Sequence, residues 1–339
     1  VSVRRVLLIQ LRALGDVLLC TPAVRQLRRA HPDARIDFLS EGAGSEALAG
    51  NPWLDEVVVY RRGTAAGVRR TIELARRGYD AVVVLHFHHA PRASVVGALL
   101  PAPLRIGFDD RRPWEWRYTH VVPAAPLVSR YNAVAKLELL RPLGVVPDLT
   151  DAALDFRPAP DDEAWAGEEW KRLGLEGPQP VVALSGVSRL VHKSWGADRW
   201  AVVADELSAA GFRVLLTHGP GERGQAEALA GAVRLPVLWG HREATLAQFA
   251  ALQGRCRAWV GNDGGPRHLA VAMGVPTLAV ARPGKGATFT DDTPGSPHRF
   301  VEPPPGAPFT RRRPLAELQV ETVAPAVLAF VRRHADAAR

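Results

Sequence analysis

The sequence predicts an α/β protein built of two doubly wound halves. Three observations carry the prediction. The 339 residues are too many for one average domain and comfortable for two. Short β-rich runs recur with helical patterns between them, at the interval of βα units whose parallel strands are buried on both faces. The alternation stops at "FRPAPDD" (156–162), which reads as a linker, and then begins again. In such an architecture ligands bind beyond the carboxyl ends of the strands, and a cleft between the halves is the expected site.

Taken in order, the first half has aliphatic and β-branched runs at 4–10, 35–40, 56–60 and 81–86, with weaker ones at 104–107 and 119–122. Helical patterns fill 16–30, 44–50, 65–77, 90–99 and 129–143. Pro22 falls inside the first of these, where its missing N–H and its ring oppose a continuous helix, so that helix is expected to break or start late. The second half reads as strands at 180–185, 213–218, 236–239, 257–261 and 276–281, separated by helices at 198–210, 222–231, 245–253 and 265–273. "VEPPPGAP" (301–308) is loop, and 315–336 is a long terminal helix. The expected divisions are 1–157, 158–314 and a terminal helical segment, 315–339.

The chain is 47% hydrophobic without low-complexity tracts, so it can bury a sizeable core. Its two cysteines, Cys20 and Cys256, are far apart and in no metal-like spacing, which fits a reducing compartment. Arg4 and Arg5 lead into an apolar run that ends by Leu11, unlike a signal peptide, and no uncharged apolar stretch approaches the roughly 18 residues of a membrane span. A cytoplasmic protein is the expectation. The net charge of +8 is unevenly placed: residues 1–150 carry 21 Lys/Arg against 14 Asp/Glu, or +7. That suits a polyanionic or membrane-surface partner, or else reflects solvated helix faces in an arginine-rich protein. No nucleic-acid-binding module is recognisable, and nucleic acid is not an expected partner.

Three segments carry chemistry. In "LLIQLRALGDVLLCTPAVRQL" (7–27) an apolar strand stops at a Gly-Asp pair and a helical pattern begins. Asp16 therefore lies just past a strand end, where it either caps the helix or is aimed at a bound ligand. In "LSGVSRLVHKSWGADRW" (184–200) a buried strand ends in Ser185, Gly186 and Ser188, followed by a lone Lys193. Small residues let backbone amides approach a phosphate and lysine supplies a point charge, although the alternative is an exposed loop lysine. In "WVGNDGGPRHLAVAMGVPTLAVARP" (259–283) Gly264 and Gly265 open an alanine-rich helix whose first amides favour an anion. Asp263 there is either a cap or a ligand-facing acid, and His268 either a packing residue or part of a site. There is no Walker pattern, and the absence of GxGxxG after the first strand excludes a dinucleotide oxidoreductase.

Together, "VLLIQLRALGDVLLCTPAVRQLRRAHPDARIDFLS", "KSWGADRW" and "NDGGPRHLAVAMGVPT" resemble, in order and spacing, the corresponding segments of glycosyltransferase family 9, which contains the ADP-heptose:lipopolysaccharide heptosyltransferases. The likeness runs from the first strand to about residue 283. It implies a GT-B fold of two Rossmann-like domains, the acceptor held by the first and the nucleotide sugar mainly by the second, with the terminal helix crossing back onto the first. On this resemblance Asp16 matches the proposed catalytic base. Ser188 and Lys193 match the hydroxyl and lysine that hold the diphosphate. Asp263 matches the acid that approaches the donor sugar, Gly264 and Gly265 line its phosphates, His268 is the motif histidine, and Thr245 and Leu246 in "EATLAQF" resemble the segment near the adenine. Two departures stand out: Gly264 replaces the usual Thr or Ser, and Arg189 stands where a second hydroxyl is often found.

The reaction so implied is transfer of a heptose or related sugar from an ADP-sugar to a lipid-linked saccharide. A base removes the acceptor proton, and cationic groups stabilise charge on the leaving diphosphate. Attack opposite the leaving group inverts the anomeric carbon, and the scheme calls for no cofactor and no metal. His86 and His88 share a strand face but have no nearby carboxylate, so they are expected to face the cleft rather than bind metal. Arg12, Arg92, Arg111 and Arg112 are the candidates for capturing a phosphorylated glycolipid at the inner leaflet. A non-catalytic nucleotide- or saccharide-binding relative is the competing reading, disfavoured by the joint presence of Asp16, Lys193 and Asp263.

Overall fold

The computed structural model describes residues 3–61, 63–86, 91–109, 117–304, 306 and 315–335. The chain forms two compact units, Val1–Phe156 and Arg157–Arg339, each with its own parallel sheet.

The first unit contains strands β1 (Arg5–Ile9), β2 (Arg35–Ser40), β3 (Glu56–Val59), β4 (Ala81–Val84), β5 (Leu104–Phe108) and β6 (His120–Val122), in the spatial order β3-β2-β1-β4-β5-β6. Val6, Leu7, Leu8 and Ile9 are wholly buried because β1 is central and covered on both faces. Val6, Leu8 and Phe38 belong to one core; Leu7, Ile9 and Leu39 belong to another on the opposite face. The anticipated first helix is divided into α1 (Leu14–Leu18) and α2 (Thr21–Ala30), with Pro22 in the opening turn of α2, where a proline is tolerated. Then come α3 (Ala43–Ala47), α4 (Thr64–Ala75), α5 (Pro91–Leu99) and α6 (Asn132–Leu137), the last continuing as a 3₁₀ segment, Glu138–Leu143, around Pro142.

The second unit begins with α7 (Pro160–Arg172), whose start lies inside the segment expected to be linker. Its first turn carries Asp161, Asp162 and Glu163 and its last turn Lys171 and Arg172, a charge order that suits the helix dipole. Trp165, Ala166 and Trp170 pack it on the core, but the acids set among them interrupt the apolar pattern, and the sequence reading did not mark the helix. Strands β7 (Val181–Ser185), β8 (Arg213–Leu216), β9 (Ala258–Asn262), β10 (Thr277–Val280) and β11 (His298–Val301) are ordered β11-β10-β9-β7-β8. The run at 236–239 makes only one parallel bridge, Leu238 to Leu215, and β11 was not anticipated. Gly261 permits the close approach of β9 to β7, since a Cβ there would lie 2.4 Å from the Ser185 carbonyl oxygen. Helices α8 (Ala197–Ala209), α9 (Arg223–Ala232), α10 (Leu246–Gly254), α11 (Gly265–Ala272) and α12 (Gly286–Phe289) complete the layers. The terminal helix α13 (Val320–Ala335) buries Val323, Val327, Phe330 and Val331 in the core of this second unit, packed on α8 and β9. No helix among the described residues is long and apolar enough to cross a membrane.

Candidate functional site

Each sheet has one point where the strand order reverses, between β1 and β4 in the first unit and between β7 and β9 in the second. Loops leaving neighbouring strands part company there and open a crevice at the carboxyl edge. Asp16 follows β1, and Lys193 and Asp263 follow β7 and β9, so all three flank a switch point of their own sheet.

In the first unit Asp16 is half-buried, and its Oδ2 accepts the Ala13 N–H at 3.2 Å. It therefore caps its helix with one oxygen, while Oδ1 makes no hydrogen bond among the described residues. Capping and an outward-facing role are thus compatible. Arg12 is exposed and lies 3.6 Å from Glu41, and Arg92 is exposed on the first turn of α5. Arg111 and Arg112 lie outside the described residues, as does His88.

Beneath the Asp16 loop is a buried polar network that the sequence reading missed. Lys136, 1% exposed on α6, donates to Oε1 of Gln10 at 3.1 Å and to the Leu85 carbonyl. Gln10 Nε2 donates to the Arg12 carbonyl at 2.5 Å and lies 3.1 Å from His86 Nδ1. His86 Nε2 accepts the Leu11 N–H at 3.0 Å. Burial, with Lys136 and Arg12 nearby, pulls His86 down to about 3, so its ring is neutral at physiological pH. Nε2 is occupied by that backbone bond, and among the described residues no three His, Cys, Asp or Glu side chains are grouped to hold a metal. Burial also pushes the Cys20 thiol up to about 11, although the Lys136 charge opposes this. The one signal of the network in the sequence was a lysine between the apolar residues of "AVAKL".

In the second unit, Asn262 joins the two loops at the switch point. Its Oδ1 accepts from the Trp195 backbone N–H at 3.2 Å and from Trp200 Nε1 at 3.1 Å, and its Nδ2 donates to the Gly186 carbonyl at 2.8 Å. The loop carrying Ser188 and Lys193 is thereby fixed beside Asp263. Glu222 performs the same service toward β8, accepting the N–H groups of Arg189 (3.0 Å) and Gly219 (2.8 Å). Ser188 Oγ accepts the Leu190 N–H at 3.2 Å, and Lys193 forms no ion pair among the described residues.

Asp263 is 7% exposed. Burial alone would raise its carboxyl; the positive charges of Lys193 and Arg267 outweigh burial and hold it below the ordinary carboxylate value. Arg267, wholly buried, reaches Asp263 Oδ1 at 3.3 Å through Nη1 and donates to Thr290 Oγ1 at 2.6 Å through Nη2. His268 is 4% exposed, burial draws it down to about 3, and its Nδ1 has no partner among the described residues. Gly264 is extended (φ −178°), and a Cβ there would meet only ordinary contacts, 3.8 Å from Pro266 Cδ and 3.9 Å from the Asn262 carbonyl oxygen. A serine or threonine would therefore fit; the glycine removes a hydroxyl without serving the backbone. Gly265 begins α11. Thr245 caps α10, its Oγ1 accepting the Gln248 N–H at 3.2 Å, and Leu246 opens that helix. These two lie further along the edge, past β8, where His241 stacks on His218 at 4.3 Å. Asn262, Glu222 and Arg267 were not singled out from sequence, because their role is to connect loops that are distant along the chain.

The model for glycosyltransferase family 9 (heptosyltransferase) matches residues 68–290. Lipopolysaccharide heptosyltransferase 3 of Escherichia coli is 28% identical over 286 residues, covering 78% of this chain and 80% of that protein. Lipopolysaccharide heptosyltransferase 1 of Pseudomonas aeruginosa is 27% identical over 307 residues, covering 82% and 79%. Among solved structures, a family 9 glycosyl transferase from Veillonella parvula superposes with a TM-score of 0.81 at 22% identity, covering 97% of both chains. The E. coli heptosyltransferase WaaC, solved with ADP, gives 0.69 at 20% identity, covering 98% of this chain and 99% of that one. Both have this fold of two Rossmann-like units, the GT-B type.

Proposed function

We propose, for a chain that belongs to glycosyltransferase family 9 and is thereby a glycosyltransferase, that it transfers a heptose or related sugar from an ADP-sugar to a lipopolysaccharide-core or other lipid-linked saccharide. The observation that carries this reading is the pairing, at the switch point of the second sheet, of Lys193, which has no ion-pair partner among the described residues, with Asp263 held charged. A lysine charge beside the bare amides of Gly264 and Gly265 suits a diphosphate, and Asp263 suits the hydroxyls of the attached sugar. The family 9 relatives named for lipopolysaccharide heptosyl transfer, and the neighbour solved with ADP, support the same donor class.

In the scheme, Asp16 uses its uncommitted oxygen to take the proton of an acceptor hydroxyl as that oxygen attacks the anomeric carbon. Lys193, Ser188 and the α11 amides take up the charge that grows on the departing diphosphate. Displacement from the opposite face inverts the anomeric centre. With these groups carrying the leaving-group charge, the scheme calls for neither a metal nor a cofactor. The acceptor is proposed to be met at the inner leaflet by a cytoplasmic enzyme, with Arg12, Arg92, Arg111 and Arg112 as its phosphate-binding residues.

The test is to incubate the purified protein with a panel of nucleotide sugars and a de-O-acylated lipopolysaccharide core, following transfer by mass spectrometry, with and without EDTA. Transfer from ADP-heptose, unchanged by the chelator, is expected. Nucleotide binding without transfer or hydrolysis of any donor would favour a non-catalytic binding protein.

A further inference from the structure

Lys136 is buried on α6 and, among the described residues, meets no carboxylate. Taking an ammonium out of water is costly, and an opposite charge ordinarily offsets the cost. A methionine would fill the same space with no charge to desolvate, so packing does not explain a lysine here.

Its hydrogen bonds show what the charge does. An ammonium is only a donor, so it holds the Gln10 amide with its oxygen inward. Nε2 is thereby turned toward the Arg12 carbonyl, 2.5 Å away, and toward His86 Nδ1 at 3.1 Å. His86 in turn receives the Leu11 N–H, and the Leu11 carbonyl accepts the Glu41 N–H at 3.2 Å. Ala13, which follows Arg12, gives its N–H to Asp16 Oδ2, and its carbonyl accepts the Val17 N–H at 3.0 Å. On the other side of α1, Cys20 Sγ donates to the Asp16 carbonyl at 3.1 Å. A continuous set of contacts thus runs from Lys136 to the backbone on which Asp16 stands.

We infer that Lys136 is a positioning residue for Asp16, fixing through Gln10 the 10–13 backbone that decides where the Asp16 carboxylate points. With a neutral side chain at 136 the Gln10 oxygen loses its donor, the amide is no longer held in place, and the 10–13 backbone that it supports is free to shift. The inference rests on the reading of Asp16 as the base, and the experiment separates the two.

Steady-state kinetics with ADP-heptose and a de-O-acylated lipopolysaccharide core, ADP affinity by calorimetry, and Tm are measured for Lys136→Met, Gln10→Glu, Asp16→Asn and the Lys136→Met/Asp16→Asn double variant. Lys136→Met should lower kcat by about 10²-fold, the scale of an ångström-sized misplacement, while ADP affinity stays within about twofold and Tm holds or rises. Gln10→Glu gives the ammonium a carboxylate but removes the donor to Arg12, so it should keep Tm and still lose kcat. Added to Asp16→Asn, Lys136→Met should cost less than about threefold more, because there is no longer a base to position. Near-normal kcat in Lys136→Met, a kcat retained by Gln10→Glu, or multiplicative losses in the double variant would overturn the inference while leaving Asp16 as the base. Near-normal kcat in Asp16→Asn alone would overturn the reading of the base, and the inference with it.

Discussion

Replacing Arg267 with leucine tests whether Asp263 is held charged by the helix that follows it. Arg267 is wholly buried, pairs with Asp263 at 3.3 Å and is anchored by Thr290 at 2.6 Å. Removing one partner of a buried pair leaves an uncompensated charge and costs about 3–5 kcal/mol. Lys193 still acts on Asp263, so the lower end, about 3 kcal/mol, is expected. For a unit of roughly 180 residues each kcal/mol is worth about 2–4 °C, giving a Tm loss of about 6–12 °C at pH 7. The pH dependence identifies the cause. Asp263 is lowered from 3.8 in the folded protein, so its ionisation adds stability that is fully present above that value and is lost as pH falls through the folded-state value. Without Arg267 the depression shrinks or reverses, and the native variant can take up a proton at higher pH than wild type. The Tm gap should therefore be full at pH 7 and narrower near pH 3.5, as followed by calorimetry at both. An equal gap at the two pH values would refute the electrostatic argument and assign the loss to packing.

Asp16→Asn should cut turnover by about 10²–10⁴ with ADP binding intact; a variant that turns over normally but melts earlier would leave Asp16 as a cap alone. Lys193→Ala should weaken ADP binding by about 1.5–3 kcal/mol and AMP binding by less, and equal ADP affinity in calorimetry would remove Lys193 from the site. Gly264→Ser should leave stability within about 0.5 kcal/mol, as for a change that meets no clash, and should change donor KM more than acceptor KM; a large stability loss would contradict the room found for its Cβ. Charge reversal of Arg111 and Arg112 together should raise acceptor KM without moving donor KM, and binding to anionic liposomes should fade with salt. Unaltered acceptor kinetics would exclude the pair from acceptor capture.

The parts of the molecule legible in its sequence are those written in local patterns. Strands such as Val181–Ser185 read clearly because they are buried on both faces and need continuous apolar runs, and Pro22 announced the division between α1 and α2 through its own chemistry. Local patterns fail where charge or distance decides. Glu169 shows why the body of α7 was not marked as a helix: it is wholly buried, paired with Arg172 (2.6 Å) and Arg242 (2.7 Å), and held at about 2 because these contacts overcome the cost of burial. An acid in a polar string gives no hint that such partners will cover it. The excess positive charge of the first half misleads in the same way. Arg25, Arg28, Arg35 and Arg77 are committed to Asp151, Asp55, Asp37 and Glu56, so part of what reads as a basic surface is internal bracing. The site obeys the same division. Asp16, Lys193 and Asp263 could be picked out as candidates because a strand end followed by a helix is a local event. Asn262, Glu222, Arg267 and Lys136 could not, since each acts by holding a loop it does not belong to, and only the order of strands in the sheet brings those loops together. Residues proposed to contact a ligand are thus readable one segment at a time, whereas the groups that hold their loops become visible only once the chain has folded.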